Sequence, residues 1–290
     1  EMPRMDGITF LQKLMASRPM PVEMVSSHTQ KGADTTMAAM DAGAIEIVAK
    51  PVVDLRKGLG DMTMEIIDKV KAAAQVKMGE YKKRLDERAK SRPKALNQAM
   101  IKTTDKIIAM GASTGGTEAL KDVITRMPVN SPGMIVVQHM PEGFTKAFSD
   151  RLNGLSAMSV SEARDGDSII PGRVLIAPGH SHMKMRRSGA RYYVEVKSGP
   201  LVLRHRPSVE VLFSSVAKYA GANAVGVMLT GMGGDGAGGM LAMKKAGAFN
   251  IAQDEKSCVV FGMPKEAIKL GGVDKIVPLS QVPEAILAHL

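Results

Sequence analysis

The chain has 290 residues, 44% of them hydrophobic, with a formal net charge of +10 and one cysteine. Such a length holds two domains with separate cores, and a lone Cys258 excludes an intramolecular disulfide and fits a reducing, cytoplasmic setting. No apolar run approaches the ~20 residues of a membrane-spanning helix, so insertion into a membrane is not expected.

In chain order, Asp6 to Met15 has helical apolar spacing and is ended by Pro19 and Pro21. Val22–Ser26 reads as a short strand, Gly32–Ala42 as a helix closed by Gly43, and Ile45–Lys50 as a strand stopped by Pro51. Asp61–Ala74 reads as a further amphipathic helix. Residues 77–102 then hold nine basic side chains against three acidic ones, which is +6 of the net +10. With no aromatic interleaving beyond Tyr81, this stretch reads as a solvated basic linker over 76–102, and nucleic acid is not an expected partner.

From about residue 103 to 290, apolar strands alternate with helix-like stretches, the pattern of a mainly parallel sheet covered on both faces. The expected strands are Ile107–Met110, Met134–Gln138, Ser159–Ala163, Arg173–Ala177, Ala224–Leu229, Asn250–Gln253 and Lys275–Val277. Met183–Met185 and Arg191–Val196, either side of Arg186–Ala190, predict a β-hairpin inserted into that pattern.

Ile107–Met110 runs into Gly111-Ala-Ser-Thr-Gly-Gly116, whose Gly-x-Ser-x-Gly spelling matches a nucleophile elbow. The same loop also suits a phosphate cradled at a helix N-terminus, although neither a Walker lysine nor a three-glycine dinucleotide spacing accompanies it. In an open parallel sheet, ligands bind beyond the carboxyl ends of the strands, and three chemically apt residues fall there. They are Ser113, His139 after Gln138, and Asp235 within Gly231–Gly236. A serine hydroxyl needs a neighbouring base, an imidazole can serve, and an aspartate behind the ring fixes its tautomer. Asp235 has a second reading as the cap of a helix beginning near Ala237. Among the other histidines, His205 ranks second as a cleft-lining residue, while His28 and His289 lie far from these loops in the chain. His180 and His182 lack the further ligands that a zinc site wants, so no metal is expected. The order Ser-His-Asp differs from that of α/β-hydrolases, where histidine comes last.

Two sets of residues carry a family resemblance. Glu1-Met-Pro-x-Met-Asp-Gly7, Ser26 and Lys50-Pro51 resemble the C-terminal part of a response-regulator receiver domain. That resemblance places the phosphoacceptor two positions before Glu1, outside this chain, and assigns the role to neither Asp6 nor Asp54. Gly111–Leu120, Val137–Met140, Ile176–Gly179, His205–Val209 and Leu229–Gly236 resemble the catalytic domain of the CheB chemotaxis methylesterase family. The resemblance implies a flavodoxin-like receiver, here partial, over 1–75 and a doubly wound α/β methylesterase domain with an inserted β-hairpin over 103–290. It implies Ser113, His139 and Asp235 as the catalytic triad and the backbone of Met232 as oxyanion donor. It further implies hydrolysis of glutamate γ-methyl esters and deamidation of glutamines on methyl-accepting chemotaxis receptors. No cofactor is implied, the histidine kinase CheA is a partner, and a monomer is expected. The alternative from a different class is a nucleotide- or phosphate-binding α/β regulator without hydrolase activity.

Overall fold

Strands that are apolar at every position, rather than at alternate ones, must be covered on both faces, and this requirement organises most of the chain. A computed structural model describes residues 4–26, 30–50, 66–90 and 105–290, and the chain divides into two units, Glu1–Arg92 and Pro93–Leu290.

The first unit contains α1 (Gly7–Ser17), β1 (Glu23–Ser26), α2 (Gln30–Asp41), β2 (Glu46–Ala49), a helical stretch α3 over 66–74, and α4 (Met78–Lys90). Asp6 caps α1 by accepting from Thr9 N–H at 2.9 Å, and the helix buries Leu11 and Met15. β1 and β2 pair in parallel from Glu23↔Glu46 to Ser26↔Ala49. Asp54, His28 and the start of the helix expected from Asp61 lie outside the described residues.

Of the basic stretch read as a linker, residues 76–90 are described and 91–102 lie outside the described residues. Over Met78–Lys90 it is helical. The reason lies in two apolar residues one turn apart, which the surrounding charges obscure. Tyr81 is buried and donates its O–H to Ala44 O at 3.3 Å, and Leu85 reaches the Gly43 turn.

In the second unit the elements run β3 (Ile107–Ala112), α5 (Gly116–Ile124), β4 (Gly133–Gln138), α6 (Phe144–Leu155), β5 (Ser159–Glu162) and β6 (Arg173–Ile176). The hairpin β7 (His182–Ser188) and β8 (Arg191–Lys197) follows, then α7 (Val209–Tyr219), β9 (Ala224–Met228), α8 (Ala237–Lys245) and β10 (Phe249–Gln253). The chain ends with α9 (Met263–Lys269), β11 (Lys275–Val277) and α10 (Val282–Leu287). Seven strands form one sheet in the order β11-β10-β9-β3-β4-β6-β5, every pair parallel. This is the mainly parallel α/β sheet the strand pattern predicts. The expected hairpin forms its own antiparallel pair, turning at Gly189 and Ala190. Its inward residues Met183, Met185, Tyr192 and Val194 join Leu212, Phe213 and Val216 of α7 in one core with Ile107, Ile135 and Val137.

The sheet is wound from its middle. From β3 the chain moves to β4 and onward on one side, and after α7 it returns as β9 on the other side of β3. The strand order therefore reverses between β3 and its two neighbours, which opens a crevice at their carboxyl ends.

Candidate active site

Parallel register brings the three predicted residues to that crevice. Ala112 pairs with Gln138 and Gly111 with Met228, so β3, β4 and β9 end at nearly one level. Ser113 and His139 are the next residues out of β3 and β4. His139 N–H donates to Ala112 O at 3.1 Å, and Ser113 N–H donates to Thr230 O at 3.0 Å beyond β9.

The turn after β3 is set by Gly115, whose φ of 76° lies in the left-handed region and which forms the N-cap of α5. Gly231, in the loop after β9, permits a close approach: a Cβ there would lie 2.7 Å from Ser113 Cβ. Met232, the expected oxyanion donor, is therefore the residue next to the one that abuts the serine.

His139 and Asp235 are both buried and meet directly, with His139 Nε2–H donating to Asp235 Oδ2 at 2.8 Å. The other ring nitrogen, Nδ1, is buried and has no protein hydrogen-bond partner. The Ser113 hydroxyl is thus not bonded to the ring in this state.

Asp235 is held by a helix other than the one the sequence suggested. The cap of α8 is Gly236, without a side-chain hydrogen bond. Asp235 instead faces the N-terminus of α7: Oδ1 accepts from Ser208 Oγ at 2.8 Å and Glu210 N–H at 3.1 Å, and Oδ2 accepts from Val209 N–H at 2.7 Å. Burial pushes this carboxyl up, but hydrogen bonds from His139, Ser208 and Val209, with the charge of a protonated His139, hold it below its ordinary value. An acid so placed stays ionised behind the imidazole.

Three positioning residues escaped the sequence reading. Gln138 Nε2 donates to Ser113 O at 3.0 Å and to His139 O at 3.2 Å, clasping both loops. Thr230 Oγ1 donates to Thr114 O at 2.9 Å and accepts from Val260 N–H at 3.0 Å. Ser208 serves as the N-cap of α7 while bonding Asp235. The available signal was a polar residue closing an apolar strand run, as Gln138 closes Met134–Val137 and Thr230 closes Val227–Leu229.

His205 does not compete with His139 but lies on it: the two rings stack with centroids 3.7 Å apart and planes 12° from parallel. His180 is exposed, 3.7 Å from Glu142, and His182 Nε2–H donates to Pro200 O at 2.8 Å. His289 stacks on Phe249 at the far end of the chain. Among the described residues, no group of three or more His, Cys, Asp or Glu is placed to hold a metal ion.

A family model described as CheB methylesterase matches residues 108–286. The chain belongs to the CheB methylesterase family. It is 54% identical, over its whole length and 85% of the relative's, to protein-glutamate methylesterase/protein-glutamine glutaminase 2 of Albidiferax ferrireducens. Identity is 53%, over the whole chain and 81% of the relative, to the protein-glutamate methylesterase/protein-glutamine glutaminase of Salmonella typhimurium. Among solved structures, the crystal structure of the Thermotoga maritima CheB methylesterase catalytic domain is similar, with a TM-score of 0.62 and 38% identity. That match covers 64% of this chain and 98% of the other. The matched residues 108–286 lie within the second unit.

Proposed function

We propose that this CheB-family chain hydrolyses glutamate γ-methyl esters and deamidates glutamines on methyl-accepting chemotaxis receptors in the cytoplasm, with Ser113 as nucleophile, His139 as base and Asp235 as orienting acid. The observation that carries the reading is the buried His139–Asp235 hydrogen bond, which leaves His139 Nδ1 as the nitrogen able to take a proton.

Ser113 Oγ attacks the side-chain carbonyl carbon of the ester as its proton passes to His139. The negative charge that forms on the carbonyl oxygen is met by the backbone N–H of Met232. Collapse breaks the C–O bond to the methoxy group, which leaves as methanol carrying the proton from His139. A water molecule, deprotonated by His139, then attacks the acyl-serine and releases glutamate and Ser113. For a glutamine substrate the leaving group is ammonia and the same residues suffice. Asp235 stabilises the imidazolium in both halves. The histidine kinase CheA is the further partner in this reading. Residues up to 75 are read as part of a receiver domain, and the catalytic domain as beginning near residue 103.

The test is methanol release from methylated receptor membranes. Ser113→Ala lowers the rate by about 10^3-fold or more, because nucleophile and base act as a unit. Methanol release by Ser113→Ala at the parent's rate overturns the reading.

A further inference from the structure

Five residues beyond the hairpin β7–β8, at the rim of the site, the chain makes a turn whose backbone and side chains are at odds. Val202 and His205 exchange both backbone hydrogen bonds, Val202 N–H to His205 O at 3.1 Å and His205 N–H to Val202 O at 2.9 Å. Leu203 and Arg204 are the two central residues, with φ of 48° and 70°. Two successive left-handed residues make the tight turn that Asn-Gly or Gly-Gly fills without strain, because a Cβ crowds the following carbonyl in that region. Leucine is among the poorest choices there. Nor does burial compensate, since Leu203 is 56% exposed and Leu201, two residues earlier, 49% exposed.

A strained turn that presents an apolar side chain to solvent is unexplained by folding, and such strain gathers where something is bound. The position supports this. The turn closes on His205, whose ring stacks on His139, so the exposed leucines stand one short turn from the reacting centre. Arg204 and Arg206 lie on the same exposed stretch.

We propose that the Val202–His205 turn is the substrate-recognition element of this enzyme, binding an acidic polypeptide segment around the esterified glutamate. Leu203 packs against an apolar side chain of that segment, and Arg204 and Arg206 meet its carboxylates. The charge argument follows from the reaction: each ester cleaved leaves a glutamate, so the segment gains negative charge with every turnover. His205 links the occupied turn to the base through the ring stack. The proposal rests on the hydrolase reading above and names what that site holds.

The experiment uses the full chain and two synthetic peptides of equal length, each with one central glutamate γ-methyl ester. One is flanked by leucine and glutamate, the other by serine and lysine. The parent prefers the leucine–glutamate peptide by about tenfold or more in kcat/KM, the scale of a few side-chain contacts. Leu203→Asn and Arg204→Gln each weaken that preference through KM more than through kcat, and the double variant abolishes it. Because asparagine tolerates the left-handed region, Leu203→Asn has a thermal midpoint no lower than the parent's. A preference unchanged in the double variant overturns the proposal. An equal loss on both peptides with a lowered midpoint also overturns it, as a structural effect. An unchanged KM with altered sedimentation overturns it in favour of a contact between copies of the chain. A parent inactive on both peptides overturns the hydrolase reading itself, and this proposal with it.

Discussion

Asp235 is the residue whose environment makes the strongest claim on pH. Its two oxygens accept four hydrogen bonds, from His139, Ser208, Val209 and Glu210, and those from His139, Ser208 and Val209, with the charge of His139, outweigh burial and hold its pKa below the ordinary value. A carboxyl depressed in the folded state adds stability that is fully present above its ordinary value of 3.8 and is lost as pH falls through the lowered value. Thermal midpoints measured from about pH 6 down to about pH 3 therefore fall less steeply in Asp235→Asn than in the parent. Parallel slopes would show that the carboxyl is not held as its contacts require. Under the proposed roles the same variant retains measurable hydrolysis, since an orienting acid matters less than nucleophile or base. At this scale the sequence showed what chemistry demands and hid what geometry supplies. That Ser113, His139 and Asp235 come to one edge of the sheet was legible because each follows an apolar strand run, and parallel strands end together. The partners of Asp235 were not, because Ser208 to Glu210 stand more than twenty positions away with no periodic relation to it. The His205 stack was hidden likewise, since two imidazoles after unrelated segments carry no sign that they meet.

Among the elements, the loop between β9 and α8 does the most with the least. Its glycines read in the sequence as close backbone approach to something, and the structure shows that they are not equivalent. Gly231 has Ser113 and Met263 against the place a Cβ would occupy, whereas the nearest atom to such a Cβ at Gly234 is Glu266 Cγ at 3.5 Å. Gly231→Ala must push the loop or the serine aside, and displacements of about 1 Å near reacting atoms cost roughly a hundredfold in rate. Gly234→Ala, at ordinary contact distance, retains activity and midpoint close to the parent's. Rate and thermal midpoint for the two variants decide the matter, and equal behaviour would show that close packing of Gly231 on Ser113 is not what positions the proposed nucleophile. The inserted hairpin was legible from its alternation and its Gly189 turn. Its role was not, because the partner of Met183 and Met185 is α7, an element that also supplies the N–H groups facing Asp235. One helix thus ties the hairpin core to the site.

At the scale of the whole molecule, charge was the misleading feature. Nine basic residues in 77–102 suggested a solvated tether, yet Tyr81 and Leu85 at helical spacing fold residues 78–90 into α4, within the first unit. Net charge reports on solvation, and two apolar side chains suffice to decide packing. The two units differ in what holds them. The second has a seven-stranded sheet with strands such as β3 and β4 buried at every residue. In the first, among the described residues, β1 pairs only with β2, and Val25 on β1 is exposed. A two-stranded sheet is marginal in water, and parallel strands are stable when both faces are covered. Amide exchange of the full chain is therefore fastest in β1 and β2 and slowest in β3, β4 and β9. A chain cut to residues 93–290 stays folded and still releases methanol from a small glutamate γ-methyl ester, because the hydrogen bonds that hold Ser113, His139 and Asp235 to Gln138, Thr230 and residues 208–210 lie within that unit. Loss of the cooperative thermal transition in 93–290, with protection of β3 and β4 lost as well, would show that the catalytic unit depends on the first one for its fold.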